Sequence, residues 1–479
     1  MHILTQYYLF NPSFPAHATT YHVGPFQTYP MPSAVANLVQ DGDTVLIDAG
    51  VYTGDVAVWT KNNLLLRGTG GMAHLKANGA SAQGKAIWVI QGSNTTVEYI
   101  EFSGCTVPDD NGAGIRQEGA GLTIRNCYFH DNQQGILAGN NPNSDILIEY
   151  SHFARNSAGD GQTHNIYINK VRTFTLQYSY VHDASVGHNV KSRAEVNHIY
   201  YNRIMDEDEG SSSYVLDLPN GGRCFLVGNI IQQGEFSANS TIVSFGAEGL
   251  SNEKQSLFVV HNTLVNDRTS PNSRFFRIYE TPDSVWLVNN LYCGLGLWLE
   301  YAGFSIVENN LLVDTSELVN APAFNYRLDA GATAIDAGAD PVDVGNLTLL
   351  PFYHYVHPAN REIRSIKGSA WDVGAYEYSE PNAVFAPHIP DIKVFPNPSD
   401  GIFHIEFPDG SSQTVDLRGR APGVYHTVVG ILKELEDGAL GVNPLIQSLE
   451  GLEGLGGLVF FLSKPSKPPK PSKLSKPSY

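Results

Sequence analysis

The stretch Tyr201-Asn202-Arg203-Ile204 is one copy of a four-residue element that recurs eight times between residues 126 and 312. The second residue of each copy is Asn, Ser or Cys, and a large apolar residue follows two positions later in every copy. Successive copies lie 20 to 33 residues apart. The second positions form one column along the chain: Cys127, Ser151, Ser179, Asn202, Asn229, Asn262, Asn290 and Asn310.

A repeat of this size predicts a coil that stacks on copies of itself. One coil cannot bury its apolar side alone, whereas stacked coils share a continuous core. Parallel stacking places Asn on Asn in an amide ladder, and Asn tolerates the left-handed turns between strands. Leucine-rich repeats are the rival architecture, but their L-x-x-L-x-L spacing is absent. We therefore predict an all-β chain whose residues 19–315 form a right-handed parallel β-helix, followed by a small C-terminal β region.

The composition restricts the partners. Charged residues are 16% of the chain, below the typical value of about 25%. A net charge of −18 argues against nucleic acid, which needs a basic face on the protein. An acidic substrate is still allowed, because a small basic cleft on an acidic body is sufficient. The four cysteines show no CxxC pairing, so a metal site of that kind is not expected. We expect a monomer.

The N-terminal residues 1–18 are interpreted as a degenerate export signal. Residues 3–10 are mildly apolar, and Ala16-His17-Ala18 is a cleavage site of the A-x-A type. A positively charged start is missing, and an ordinary disordered terminus is the alternative. No apolar run reaches about 18 residues, so no transmembrane helix is expected. We predict a secreted or cell-surface protein.

The segment Pro32 to Val39 precedes the predicted first strand at residues 41–47. Its apolar residues lie on one face of a short helix: Ala34, Val35, Leu38 and Val39. The ends of a stacked sheet expose strand edges that need a cover. This opening resembles the start of many pectate-lyase-like β-helix proteins, and the resemblance implies an N-terminal capping helix.

The Asn column stops after residue 312. Residues 326–328, 334–338 and 372–377 resemble the closing segment of many bacterial secreted β-helices, so we interpret residues 316–380 as a cap without chemistry of its own. The stretch Val394-Phe395-Pro396-Asn397-Pro398 resembles the start of the type IX secretion sorting domain of Bacteroidetes. This resemblance covers residues 390–429 and implies secretion machinery as a partner. Residues 430–479 are of low complexity and are predicted to be disordered.

The most polar coil surface is the segment from Gly187 to Arg193. If Val190 points into the core, strand alternation places Lys191 and Arg193 outward. Neighbouring coils lie about 4.8 Å apart, so polar side chains of adjacent coils could converge there. The candidate catalytic residues are Lys191, Arg193, His188 and His164. The candidate substrate-binding residues are Asn189, Asp217, Tyr167 and Arg223.

This set of residues suits removal of the C5 proton of a uronic acid. That proton is acidic only when the neighbouring carboxylate is neutralised by Arg, Lys or a metal ion. A base must accept the proton, and a cation beside a lysine favours the neutral amine. Lys191 is therefore the candidate base and Arg193 the carboxylate clamp, with His188 or His164 as proton donor. The alternative is an exposed charge ladder in which Lys191 or Arg193 pairs with Asp217.

The pair Lys191-Ser192, followed by a short loop and the turn at Asn202, resembles the catalytic-lysine coil of chondroitinase-B-like and alginate-lyase-like polysaccharide lyases. The resemblance implies the same role for Lys191. Those enzymes carry an Arg-His-Gly motif one coil later, where this chain has Asp-Leu-Pro-Asn-Gly at residues 217–221. Arg193 or Arg223 would have to replace that arginine.

The acidic run Asp206-Glu207-Asp208-Glu209 has two interpretations. Its carboxylates could bind Ca²⁺, the one cofactor that the sequence suggests, or they could form an acidic surface loop. Four further histidines show no ligand spacing and are interpreted as structural: His74, His130, His261 and His354.

The sequence thus favours a lyase that cleaves an anionic polysaccharide by β-elimination. A C5-epimerase would use the same proton abstraction. A non-catalytic adhesin or glycan-binding solenoid is the alternative from a different class, because β-helices serve both purposes.

Overall fold

The computed structural model describes residues 18–340, 343–344 and 347–380, and the backbone of three later strands. Residues 18–313 wind into a parallel β-helix with three faces, which confirms the predicted fold. Face 1 is a sheet of ten parallel strands: Ala57–Trp59, Ala86–Ile90, Ala113–Gln117, Gln134–Ala138, Ile166–Ile168, Val190–Ser192, Leu216–Leu218, Thr241–Phe245, Arg274–Ile278 and Leu297–Glu300.

Faces 2 and 3 are joined by the long strands Thr44–Thr53 and Leu65–Lys76, which run across both. Face 2 continues with Thr20–Val23, Thr95–Glu98, Leu122–Arg125, Asn141–Glu149, Val171–Gln177, Val196–Tyr200, Arg223–Val227, Ser256–Val260, Ser284–Val288 and Ile306–Glu308. Face 3 continues with Ile100–Ser103, Tyr128–His130, His152–Ala154, Tyr180–His182, Arg203–Met205, Ile230–Gln233, Thr263–Asn266, Leu291–Gly294 and Leu311–Val313.

The core is built from residues that occupy equivalent positions in successive coils. On face 1, one inward column runs without interruption through apolar residues: Trp88, Ile115, Ile136, Ile166, Val190, Leu216, Val243, Phe276 and Leu299. On face 3, the rings of Phe102, Phe129 and Phe153 stack 4.8 and 4.7 Å apart. Because parallel strands keep their register, one apolar residue per strand is sufficient to make a continuous core.

The predicted Asn column forms a hydrogen-bonded ladder at the turn between faces 2 and 3. Asn229 Oδ1 accepts from the backbone N and the Nδ2 of Asn202, both at 3.0 Å. Asn262 Oδ1 accepts from the same two groups of Asn229 at 2.9 Å. Equivalent bonds connect every neighbouring pair of the column from Cys127 to Asn310. The prediction that these residues line one edge of the stack is confirmed.

The left-handed turn belongs to the residue before the column, not to the column residue as the sequence suggested. The residues with positive φ are Asn126, Tyr150, Tyr178, Tyr201, Gly228, His261, Asn289 and Asn309. Tyrosine rarely adopts this conformation. The rings of Tyr150, Tyr178 and Tyr201 stack on one another at 5.0 and 5.7 Å, and this stacking offsets the backbone cost.

The N-terminal capping helix is shorter in the structure than the sequence predicts, and it is not an α-helix. A three-residue 3-10 helix, Pro32–Ala34, is followed by turns. Val35 and Val39 are buried against the core, whereas Ala34 and Leu38 are exposed. The segment from Pro32 to Val39 therefore contributes apolar side chains to the first coils without forming an α-helix.

The described residues between 314 and 379 lie along the side of the solenoid. The segment contains 3-10 helices at Thr315–Glu317 and Ala321–Ala323 and three hairpins: Leu318–Asn320 with Asn325–Leu328, Asp343–Val344 with Leu347–Thr348, and Tyr353–Val356 with Asn360–Ile363. Tyr326 and Val373 pack on the apolar outer side of face 3, which includes Met205 and Leu291.

After residue 380 the described residues are three strands of a separate unit, Lys393–Asn397, Ile402–Glu406 and Ser412–Asp416, which pair as an antiparallel sheet. The sorting-domain assignment stays a prediction. Residues 1–17 of the predicted export signal and the predicted tail at residues 430–479 lie outside the described residues. In the described part of the chain, no helix is long and apolar enough to cross a membrane.

The hydrogen-bonded ladder predicts that removal of one amide side chain strongly lowers the stability of the fold. Asn229→Ala removes the side-chain hydrogen bonds to Ile199 O, Asn202 N and Asn262 Oδ1 in a buried site and leaves Asn202 N without its acceptor, so we expect a loss of about 2–3 kcal/mol in the free energy of unfolding. Urea unfolding followed by circular dichroism measures it. The exposed Asn37→Ala is the control, and an equal, small effect of both substitutions would contradict a stabilising ladder.

Candidate functional site

The strand Val190–Ser192 turns one cation to the outside of face 1. Val190 and Ser192 are fully buried, whereas Lys191 between them points outward, as strand alternation predicts. Lys191 is paired in register with Tyr167 on one neighbouring strand and Asp217 on the other. The outward column of three successive coils is therefore an aromatic residue, a cation and a carboxylate.

Arg193 follows the strand and places its guanidinium beside the lysine. Its Nε donates to the hydroxyl of Tyr167 at 3.1 Å, and its Nη1 donates to Asn220 Oδ1 at 2.5 Å. The Lys191 Nζ and the Arg193 Cζ each lie 5.8 Å from the centre of the Tyr167 ring. The aromatic face and the hydrogen bonds hold the two cations side by side.

A carboxylate of the protein occupies the space between the two cations. Glu248 receives a two-point contact from Arg193, with Nη1 to Oε2 at 2.7 Å and Nη2 to Oε1 at 3.0 Å. Lys191 Nζ donates to Oε1 of the same group at 3.0 Å. These contacts lower the pKa of Glu248 to about 2, with the hydrogen bond from Arg193 as the largest cause. The two cations therefore hold one carboxylate of the protein between them.

Glu248 reaches the cations because its loop folds back over two coils. The loop, residues 246–255, connects the strands Thr241–Phe245 and Ser256–Val260. Asn252 anchors it, since its Nδ2 donates to Ala194 O at 3.0 Å and to Gly221 O at 3.2 Å. The Glu248 side chain is 45% exposed, whereas Lys191 beneath it is 12% exposed. The carboxylate thus covers the lysine from the solvent side.

Asp217 lies below this layer and is almost completely buried. Its Oδ2 is 3.5 Å from Lys191 Nζ and 3.5 Å from His188 Nε2. Its Oδ1 has no hydrogen-bond partner among the described residues. Burial is the largest cause that raises the pKa of Asp217 to about 6, against the opposing effect of Lys191. The carboxyl group can therefore be protonated near neutral pH.

The two candidate histidines are stacked and neutral. The rings of His164 and His188 lie 4.7 Å apart and nearly parallel. His164 Nδ1 accepts from the backbone N of His188 at 2.9 Å, and His188 Nδ1 accepts from the backbone N of Tyr214 at 3.1 Å. Burial lowers the pKa of His164 to about 3 and holds that of His188 well below its usual range. A neutral imidazole is a poor acid, so neither histidine suits the predicted role of proton donor.

Two predicted substrate-binding residues lie away from the cations. Asn189 is fully buried and belongs to a second polar ladder, in which it bonds to Asn165 at 2.8 Å and to Asp206 at 2.9 Å. It is not accessible to a substrate. Arg223 starts a strand of face 2, and its guanidinium lies over the ring of Phe225. The burial of Asn189 contradicts its assignment, whereas the assignment of Arg223 stays a prediction.

The acidic run at residues 206–209 is divided between buried and exposed positions, and calcium binding by this run stays a prediction. Asp206 is fully buried and accepts hydrogen bonds from Asn189, from Gly234 N and from Ser237. Glu207 accepts from Tyr180, whereas Asp208 and Glu209 are exposed. The first two carboxylates accept hydrogen bonds from the protein, whereas the last two are exposed to solvent.

Sequence reasoning missed Glu248, Asn220 and Asn252. Glu248 is 55 residues from Arg193 in the chain, and no local pattern marks a loop that returns over two coils. Asn220 lies in the segment at residues 217–221, where the sequence departs from the Arg-His-Gly motif of the lyases. This asparagine is the partner of Arg193.

Comparison with known proteins supports the fold. The family model "Right handed beta helix region" matches residues 62–230, which include the coils of Tyr167, Lys191 and Asp217. No curated protein matches the chain. The crystal structure of pectate lyase Pel9A is similar with a TM-score of 0.51 and 15% identity, over 75% of this chain and 96% of that chain. The alginate lyase from Paenibacillus sp. str. FPU-7 is similar with a TM-score of 0.36 and 12% identity, over 61% and 99%.

The protein is thus a right-handed parallel β-helix protein. Its fold is shared with a pectate lyase, and at 15% identity the likeness extends to the fold alone. A β-helix can carry different activities, so the function has to be argued from the carboxylate site.

The raised pKa of Asp217 predicts a pH-dependent stability. The folded protein binds this proton more tightly than the unfolded chain, so ionisation of Asp217 costs stability as the pH rises through about 6. Asp217→Asn removes that cost. We expect the unfolding free energy of the variant, compared with that of the wild type, to increase by roughly 2 kcal/mol between pH 4.5 and pH 8. Melting temperatures of both proteins at each pH measure this difference. The exposed Glu253→Gln is the control, and a difference independent of pH would contradict the assignment.

Proposed function

We propose that this protein is a secreted polysaccharide lyase that cleaves an anionic, uronic-acid-containing polysaccharide by β-elimination. The observation that carries the proposal is the contact of Lys191 and Arg193 with the single carboxylate of Glu248. A uronic acid presents the same group. Secretion is supported by the Ala16-His17-Ala18 site and the motif at residues 394–398.

Substrate binding requires an exchange of carboxylates. Glu248 lies on an exposed loop and is held by the two cations, so a uronate that enters the site can replace it in the same two-point contact with Arg193. The guanidinium then neutralises the uronate, which makes the C5 proton more acidic. The replacement also frees Lys191 Nζ from its contact with Glu248.

Lys191 is the group placed to accept the proton. Its Nζ reaches the outer surface of face 1 next to the carboxylate position, 3.0 Å from the Oε1 of Glu248. In the proposed step the Lys191 ammonium first releases a proton to solvent, and the C5–H bond then breaks as its proton passes to the resulting neutral amine. The C4=C5 double bond forms as the C4–O4 bond breaks, and O4 needs a proton from an acid.

Tyr167 is the better candidate for that acid than either histidine. Its hydroxyl accepts a hydrogen bond from Arg193 Nε, which leaves its own proton free to be donated outward. The side chain of Asp217 is too buried to touch a substrate. We assign Asp217 as a positioning residue that holds Lys191 from below.

The proposal predicts the effect of removing the base. Lys191→Ala should lower kcat by at least about 10²-fold, the low end for general-base catalysis, and should leave the fold intact because the side chain points outward. The assay uses a panel of uronic-acid polysaccharides and the ultraviolet absorbance of the unsaturated ends. Lys170→Ala, which removes a half-exposed lysine paired with Glu195, is the control.

Two outcomes separate the alternatives. Full activity of Lys191→Ala on a polysaccharide that the wild type cleaves would place the reaction elsewhere. Binding of the polysaccharides without any cleavage by the wild type would favour the glycan-binding solenoid. Loss of both activity and binding only in Arg193→Ala would assign the carboxylate contact to substrate recognition.

The position of Glu248 predicts that replacing this residue increases the affinity for the substrate. Glu248→Gln removes the charge that competes with the substrate, so KM should decrease by about 3–10-fold while kcat changes little. Steady-state kinetics on the most active polysaccharide measure both constants. Glu253→Gln, an exposed residue of the same loop, should leave KM unchanged. A large decrease in kcat would show instead that Glu248 takes part in the reaction.

A further inference from the structure

A second group of polar side chains lies on face 3, on the outer side of the early coils. His74, Glu101 and His130 come from three successive strands, and register pairs His74 with Glu101 and Glu101 with Tyr128. His130 is two residues beyond Tyr128 on the same side of its strand. The sequence shows no ligand spacing because the two histidines are 56 residues apart, and stacking brings them together.

The three side chains present their ligand atoms to one point. His130 Nε2 lies 3.0 Å and His74 Nε2 lies 3.4 Å from the same atom, Oε1 of Glu101. All three ligand atoms lie within 4.8 Å of one another. Ligands bound tetrahedrally to Zn²⁺ at about 2.0–2.1 Å are separated by about 3.3 Å. The side chains are 15–24% exposed, which leaves a further ligand position open to solvent.

A neighbouring carboxylate determines how His130 faces this point. His130 Nδ1 lies 2.6 Å from Asp131 Oδ2, and Asp131 is also held by Arg155. A ring that donates its Nδ1–H to a carboxylate turns the lone pair of Nε2 toward Glu101. Two acceptors 3.0 Å apart repel each other unless a proton or a metal ion lies between them. A carboxylate behind a ligating histidine is the usual support of a metal site.

His74 provides the second imidazole of the group. Its Nε2 lies 2.7 Å from Ser103 Oγ, a hydroxyl that can donate to the ring nitrogen or turn to the open position. Two imidazoles and one carboxylate form a nitrogen-rich set, which suits Zn²⁺ and related transition metals better than Ca²⁺ or Mg²⁺.

We propose that His74, Glu101 and His130 bind a divalent transition metal ion of the Zn²⁺ class, which clamps three successive coils of the β-helix. The clamp is on face 3 and shares no residue with the carboxylate site on face 1, so the two proposals stand independently. The ion would stabilise the early coils, because it binds the folded stack and finds no preformed site in the unfolded chain.

The test uses the full chain, purified without a polyhistidine tag and stripped with EDTA. Titration with ZnCl₂ in a calorimeter should give one ion per chain for the wild type, and metal analysis after dialysis should agree. The melting temperature should rise by at least about 3 °C with Zn²⁺ and return with EDTA. His130→Gln should weaken Zn²⁺ binding by about 10–100-fold or more, and the exposed His22→Gln should bind like the wild type.

Glu101→Gln keeps the shape of the site and provides the second variant if a histidine substitution does not fold. It should also lose tight binding, and circular dichroism checks its fold. Co²⁺ gives an independent readout, since a four-coordinate site should produce visible absorption in the wild type and not in the variants. A wild type that binds no Zn²⁺, or variants that bind and are stabilised like the wild type, would overturn the proposal and leave a hydrogen-bonded His–Glu–His group.

Discussion

The hydrogen-bonded register between successive coils is the constraint on which the rest of the structure depends. A single coil has neither a core nor partners for its backbone groups, so every coil is stable only against its neighbours. At the turn between faces 2 and 3, the amides of Asn202, Asn229 and Asn262 fix this register with bonds of 2.9–3.0 Å. A shift of one residue would break the ladder and turn the apolar side chains outward.

Because of the same register, side chains at equivalent positions of successive coils form columns on the outer surface. Residues that are 24–30 positions apart in the chain become neighbours about 4.8 Å apart, so a functional group needs only one residue per coil. Tyr167, Lys191 and Asp217 are assembled in this way on face 1. His74 and Glu101 are assembled likewise on face 3. The loop at residues 246–255 does not follow these columns. It places Glu248 next to Lys191, although the two residues belong to coils that lie two apart.

Burial explains why the charged groups of face 1 differ in their properties. Asp217, His164 and His188 lie beneath the surface, where the loss of hydration disfavours their charged forms. Glu248 is half-exposed, and the guanidinium of Arg193 favours its charged form. The site is therefore a pair of cations with a carboxylate above and a readily protonated carboxyl group below. Such an arrangement selects a carboxylate ligand without needing a large basic surface on an acidic protein.

The sequence by itself determined the repeat, the stacked fold and the outward position of Lys191. These follow from local patterns, because a column residue and an apolar residue two positions later recur in each coil. The sequence also placed Asp217 in the coil next to Lys191 and Arg193, since one residue per coil can be aligned once the repeat is known.

Only the tertiary structure decided which groups share contacts across the coils. Glu248 reaches Arg193 through a long loop, and the burial of Asn189 depends on a second ladder that extends to Asp206. The neutral state of His164 likewise follows from its burial rather than from its sequence neighbours. These features depend on the paths of loops and on solvent exposure. Neither is encoded in the repeat, because the repeat fixes the strands and leaves the loops between them free to vary in length and direction.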